Sequence, residues 1–464
     1  MTGETMGGGG LERLTGVLDM TEALTRRDTL TEAELATTLD NAYQSLFHAD
    51  FAAFDVAEVS QHAPDLVARI WALYLALRDR IPMWQQQGVM SHRVQASLRD
   101  VFRSARYARD LIGEIALGHQ RLGKKDSTFA AFTGPHYLTQ RNPRFSQGPI
   151  VLRPGDAILQ RGMAHNSAAI SRIGDVDSQF SHLSIVARDP KGGHVMVEAL
   201  IEEGSIVKPV DLSLAHNVGR AVLLRHRDPE LAEHASEMIR AAIARADGRD
   251  APRILYDFSM ELGGYGNLYC AKLVRLAYSM ATSGEYRIPT FTTRLDMKNR
   301  DFISRIGVTA LETFAPGDIE LEPEFDVVAE WRDLRVTSEL RLKDMIMMKL
   351  FEWMELYDYR FRPTFLVWLV GNSGVATARM PGFVQTLTKR FAGKVPPNMS
   401  SSAVGAVAML HWTAEELYEG LRKLESQTIK KTGRQLHPRL VLDELERMRE
   451  ARGRRIGYLS MPRA

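Results

Sequence analysis

A single cysteine, Cys270, stands in a chain of 464 residues. With no second thiol, a disulfide within the chain is impossible. Zinc or iron–sulfur cages built from several thiolates are excluded as well. Long apolar runs are also missing: nothing approaches the roughly 18 consecutive apolar residues that a spanning helix needs. The apolar run Phe365 to Val370 sits between Pro363 and Gly371 and reads as a buried segment. The first ten residues lack the basic-then-apolar order of a secretory signal. The expected location is therefore the cytoplasm, although export without a cleavable signal would leave no trace here. Nor is there an excess of one charge. Basic side chains number 59 and acidic ones 57, so no global field draws the chain to nucleic acid or membrane.

What is present is 45% hydrophobic and 25% charged residues, the mix of a globular chain, at a length that fits two or three domains. Residues 1–10 carry a run of four glycines and read as a flexible tail. Residues 11–123 are helical in pattern. Thr31 with Glu34 is a capping box, followed by Leu35, Leu39, Tyr43 and Leu46 at helical spacing. A stripe from Leu66 to Leu77 ends before Pro82, and another runs from Val94 to Ile115. Residues 124–148, rich in Thr, Gly, Pro, Arg and Gln, read as a linker.

From 149 to 330 the pattern is α+β. Strands are expected at Pro149 to Leu152, Asp156 to Leu159, Leu183 to Ala187, His194 to Leu200 and Ala221 to Arg225. The third and fourth form a hairpin across Asp189-Pro-Lys-Gly-Gly, which has strong turn chemistry. Helices are expected at Pro229 to Ala246 and Tyr269 to Met280, and late extended pieces at Val308 to Phe314 and Phe325 to Val328. Residues 331–464 return to helix, first over 336–358 and again after Pro396–Pro397.

Cys270 follows the loop Gly263-Gly-Tyr-Gly266 and opens an amphipathic helix. Unpaired backbone N–H groups and the positive end of the helix dipole favour a thiolate there. The same N–H groups suit an oxyanion. A thiolate nucleophile also needs an imidazole, and the imidazole an orienting partner. His182 opens one strand of the hairpin and Glu198 lies on the other, but pattern alone does not settle their register. Glu198 interrupts an apolar strand, and a carboxylate buried there without a partner would be costly.

Five pieces stand in order: Pro154-Gly-Asp-Ala-Ile-Leu, Ser181-His-Leu-Ser-Ile-Val, Val197-Glu-Ala, Tyr256-Asp-Phe and Leu268-Tyr-Cys-Ala-Lys-Leu-Val. The pattern resembles the permuted papain-fold cysteine hydrolases of the NlpC superfamily, the YiiX-like group. There the histidine-bearing strand precedes the cysteine-bearing helix, the reverse of papain. The resemblance covers residues 149–330. It implies a permuted papain-like core, an antiparallel sheet with packed helices, flanked here by N- and C-terminal helical regions. It further implies Cys270 as nucleophile, His182 as general base and acid, and Glu198 as the orienting group. Should Glu198 prove structural, Asp211, Asn217 and Asp257 are the next candidates for that last role. Where the family usually has Cys-Ser-Glu-Leu-Val, this chain has Ala271 and Lys272; Ser184 stands where glycine is common.

The expected reaction is acyl transfer from an amide or ester through a thioacyl intermediate, on a small-molecule, peptide or lipid substrate. A lipid acyltransferase or phospholipid acyl hydrolase of the same fold is an alternative, and so is a scaffold that binds ligand or lipid without turnover. No metal or organic cofactor is implied. A metal site from His182, His194, Glu198 and His216 matches no short ligand motif. Gly371-Asn-Ser373-Gly-Val fails the serine-hydrolase elbow at its last position. The Met-rich stretch Met345 to Met354 reads as core, although soft Met surfaces also suit acyl chains. Residues 430–455 carry nine basic and four acidic side chains. They are either a solvated face or a contact for an anionic membrane surface; a nucleic-acid partner is not expected.

Overall fold

The computed structural model describes residues 10–47, 55–119, 132, 136–215, 218–246, 253–295, 300–362 and 398–462. The glycine-run tail before Gly10, the run Phe365 to Val370, Ser373, the Pro396–Pro397 break, His216 and Asn217 lie outside the described residues.

Four helices open the chain: α1 (Gly10–Thr25), α2 (Glu32–Phe47), α3 (Val56–Gln86) and α4 (His92–His119). The capping box is present. Thr31 N–H donates to Glu34 Oε2 at 2.9 Å and Glu34 N–H to Thr31 Oγ1 at 3.3 Å. Helix α3 does not stop before Pro82. Ile81 and Trp84 continue its buried stripe, and that packing outweighs the one backbone hydrogen bond a proline removes.

The central unit is one antiparallel sheet. Strand β1 (Tyr137–Arg141) is followed by β2 (Ala157–Gly162), the short α5 (His165–Ser171), and β3 (His182–Arg188), β4 (His194–Leu200) and β5 (Gly204–Pro209). Then come α6 (Val210–Leu214), β6 (Val218–His226), α7 (Pro229–Ala246) and α8 (Cys270–Ala281). A two-strand ribbon of β7 (Thr293–Arg294) and β8 (Glu312–Thr313) encloses α9 (Asp301–Arg305), and β9 (Phe325–Asp333) returns to the sheet. The strand order is β1-β9-β6-β2-β3-β4-β5. The expected hairpin is β3–β4, turning through Gly192 and Gly193, both at positive φ. Pro149 to Leu152 is not a strand; Ile150 and Leu152 are buried without a ladder. Two strands of this seven-stranded sheet go unannounced by the pattern. One is β5, and the other is β1, which lies in the expected linker and pairs with β9.

Strand alternation gives the sheet two buried faces. Leu159, Leu183, Ile185, Val197 and Val222 share a core with α7, α8 and the N-terminal helices. Ile158, Val186, Met196, Leu223 and Val328 pack with Val210 and Leu214 of α6 on the other side. A second core joins α10 (Thr337–Tyr357) to α5, α9, α11 (Ser401–Thr432) and α12 (Pro438–Arg452). Beside it, β10 (Arg360–Phe361), β11 (Arg455–Ile456) and β12 (Leu459–Ser460) form a small sheet. Met345, Met347 and Met354 are fully buried in this core and Met348 is partly buried against it, so the Met-rich stretch is mostly core.

Charge also stitches α4 to the sheet. Arg99, Arg106, Arg109, Asp110 and Glu114 all lie buried along it, each bonded to an opposite charge on β6, β9, α10 or the turn Pro316–Leu321. Residues 149–330 alone would lose these partners, strand β1 and the end of β9. We expect that fragment to lack a cooperative thermal transition and to bind a hydrophobic dye; a sharp melt would show that the helices are dispensable to the fold.

Candidate active site

The β3–β4 register pairs Ile185 with Val197. Continued by one residue it sets Ser184 opposite Glu198, with His182 on the diagonal and on the same face, within reach of a long side chain. His182 Nε2 donates to Glu198 Oε2 at 2.7 Å. Glu198, almost fully buried, is satisfied twice more at Oε1, by Ser213 Oγ at 2.9 Å and Lys208 Nζ at 2.9 Å. Neither Lys208 nor Ser213 is evident from the pattern, because β5 and α6 are not. The one signal for them is Glu198 itself, which must find donors on whatever packs beside it.

Cys270 is buried and is the first residue of α8, behind an N-cap, Tyr269, that offers no side-chain hydrogen bond to the first turn. Helix α8 packs on the sheet face opposite Glu198. Its first turn meets β3, of which His182 is the first residue, and Cys270 acts electrostatically on the His182 ring. With Nε2 committed to Glu198, Nδ1 is the ring nitrogen left for the sulfur. Burial works against a charge on His182, but Cys270, the hydrogen bond with Glu198 and the Glu198 charge outweigh it, raising its pKa to about 10. Burial likewise works against the Glu198 carboxylate, yet its bonds to His182 and Lys208 hold it down at about 2.

The loop before Cys270 is fastened from below. Leu268 N–H donates to Leu255 O at 3.1 Å and Asp257 N–H to Leu268 O at 3.3 Å, closing its two ends. Lys272, wholly buried one residue past Ala271, donates to Asp257 Oδ2 at 2.6 Å and lies 5.9 Å from the centre of the Tyr265 ring. The change to lysine at this position therefore has a loop contact to match. Asp257 is engaged by Lys272 and Ser259 and Asp211 is exposed, so of the carboxylates considered, Glu198 is the one bonded to His182. His194 sits at the far end of β4, beside Arg188. Among the described residues no three His, Cys, Asp or Glu side chains cluster as a metal site. A separate depression lined by Arg153, Asp156, Arg225, His226 and Asp326 includes none of the three central residues.

A cysteine at an uncapped helix start, an imidazole on a neighbouring strand and a buried carboxylate behind it make up the nucleophile–base–orienter geometry. Residues 151–327 match a family model described as permuted papain-like amidase enzyme, YaeF/YiiX, C92 family. The match covers under half the chain; it bears out the family read from the sequence and, with it, cysteine hydrolase as the class of activity. Searches of curated proteins and of solved structures returned no match.

Proposed function

We propose that the protein is a cysteine amidase in which Cys270 is the nucleophile, His182 the proton carrier and Glu198 the orienting carboxylate. The reading rests on one observation: the imidazole bonded to the buried Glu198 is also the one whose charge Cys270, at the start of α8, stabilises. At neutral pH the raised His182 is imidazolium, the partner that a thiolate needs. The sulfur adds to the amide carbonyl, and the backbone N–H groups of the first turn of α8 face the oxyanion. Collapse breaks the C–N bond as His182 gives its proton to the leaving amine. Water then adds to the thioacyl carbon and surrenders a proton to His182; the C–S bond breaks, releasing the carboxylic acid. The substrate class is an N-acyl amide. The described residues add nothing that favours a lipid ester, since the Met-rich helix is mostly core. A lone thiol that must remain reduced suits a reducing compartment, which supports a cytoplasmic location.

The test is the pH profile of kcat/KM on an acyl-amide panel. His182 has a folded pKa above its ordinary 6.5, so imidazolium is present below that value and is lost as pH rises through about 10. Activity should fall on an alkaline limb there. Glu198→Gln removes the charge that holds the proton, so the limb should move to lower pH by about one unit or more, with kcat falling more than KM changes. A limb that stays put at wild-type kcat would make Glu198 merely structural.

A further inference from the structure

The basic stretch at the C-terminus divides into two parts. In the second half of α12 the cations are neutralised: Arg447 pairs with Glu444 at 2.5 Å, Arg449 with Glu446, and Arg452 with Glu416 at 3.0 Å. The tip where α11 turns into α12 differs. From Gln427 to Asp443 there are four basic side chains, Lys430, Lys431, Arg434 and Arg439, and one acidic, Asp443. Lys430, Lys431 and Arg439 are exposed and form no ion pair among the described residues.

The same tip exposes apolar side chains. Ile429 is 39% and Leu440 50% exposed. The two helices form an antiparallel hairpin. A side chain at Gly420 would press on Met448, and Leu436 N–H is tied to Glu425 Oε1 at 3.1 Å. In that register Ile429 to Lys431 stand level with Arg439 and Leu440, so the unpaired cations and the two apolar side chains are gathered at the same tip of the hairpin. Asn398, just before α11, donates to Tyr256 O at 2.7 Å near Cys270. The 32 residues of α11 then carry the chain about 48 Å away, so the tip is remote from the candidate active site.

We propose that this tip docks the protein on an anionic lipid bilayer, Lys430, Lys431 and Arg439 meeting lipid phosphates while Ile429 and Leu440 enter the headgroup boundary. Charge favours an anionic surface, and aliphatic side chains without an exposed aromatic favour lipid over nucleic-acid bases, which would want a stacking partner. The inference does not depend on the proposed chemistry.

The test is co-sedimentation of the full chain with phosphatidylcholine vesicles, with and without phosphatidylglycerol. Binding is expected only with the anionic lipid and should weaken as salt is raised above about 0.1 M. The triple variant Lys430→Glu, Lys431→Glu, Arg439→Glu should lose at least roughly a hundredfold in partitioning, at about fivefold per cation, with turnover of a soluble amide unchanged. Leu440→Ser should weaken binding at every salt concentration; it and the wild-type salt series decide the matter even if the triple variant fails to fold. Equal binding to neutral vesicles, no effect of either variant, or tighter binding to an RNA or DNA oligonucleotide than to the anionic vesicles would overturn the proposal.

Discussion

Cys270→Ala should abolish amide turnover, with a loss of about 10⁴-fold or more in kcat, and His182→Ala should do the same. The double variant should be no worse than either single one. The imidazole has nothing to activate once the sulfur is gone, and the thiol has no partner once the ring is gone, so the pair fails as a unit. The fold should survive, because Cys270 is a small side chain at the start of a helix whose buried face is Leu273, Val274 and Ala277. A single cysteine makes the chemical version equally clean. Iodoacetamide can modify only one thiol in the chain, so activity should fall in step with labelling. If Cys270→Ala stays within tenfold of wild type, or the fully labelled protein still turns over, the nucleophile assignment fails and the site would be a binding site on the same frame.

How much of this is legible before folding depends on whether a residue's partner is near in sequence. The β3–β4 hairpin announces itself, because Asp189 to Gly193 permit no other local structure than a turn, and the apolar alternation on both sides sets the faces. His182 and Glu198 sit on its two arms, so their meeting is close to a local matter. Cys270 is legible through the glycine loop and the helix pattern that follow each other there. Lys208 and Ser213 are not: they hold Glu198 from a strand and a five-residue helix whose sequence, Ser205-Ile-Val-Lys-Pro-Val-Asp, lacks a clear period. Strand β1 is hidden for the same reason. Tyr137 to Arg141 is a mixed polar stretch that becomes a strand only because β9 offers it a ladder. The inner charges of α4 mislead in the opposite way. Arg99, Arg106, Asp110 and Glu114 recur at helical spacing like a solvated face, and only their distant partners explain why all four are buried.

The centre of that buried set is Glu330, and its removal should be the most destabilising single substitution in the sheet. Its side chain is wholly buried on β9. Arg332 donates to Oε1 and Arg109 to Oε2 at 3.2 Å, while Arg106 and Arg220 approach Oε1 at 3.7 and 3.6 Å. Asp110 answers Arg220 and Arg332, and Glu320 answers Arg106 and the Tyr74 hydroxyl. Four guanidinium groups thus face three carboxylates, with Arg106 and Arg109 also stacked on Phe180, Tyr74 and Trp71. Burial alone would raise the Glu330 pKa, but Arg109, Arg332, Arg106 and Arg220 outweigh it and hold it at about 2. Because the folded value lies below the ordinary 4.5, the stabilisation is present above that pH and is lost as pH falls toward 2. Glu330→Gln keeps the shape and removes the charge, leaving four buried cations with two counter-charges. The expected cost is about 3–5 kcal/mol, against a total stability of about 5–15 kcal/mol for a folded domain. Urea unfolding at neutral pH measures it directly, and acid unfolding of the variant should begin from a lower plateau with a shallower slope. Pairing Glu330→Leu with Arg332→Met should recover part of the loss, since the second change removes a stranded charge instead of adding one. A Glu330→Gln cost below about 1 kcal/mol, the range of an exposed pair, would mean that water reaches this cluster and that apolar contacts alone hold α4 to the sheet.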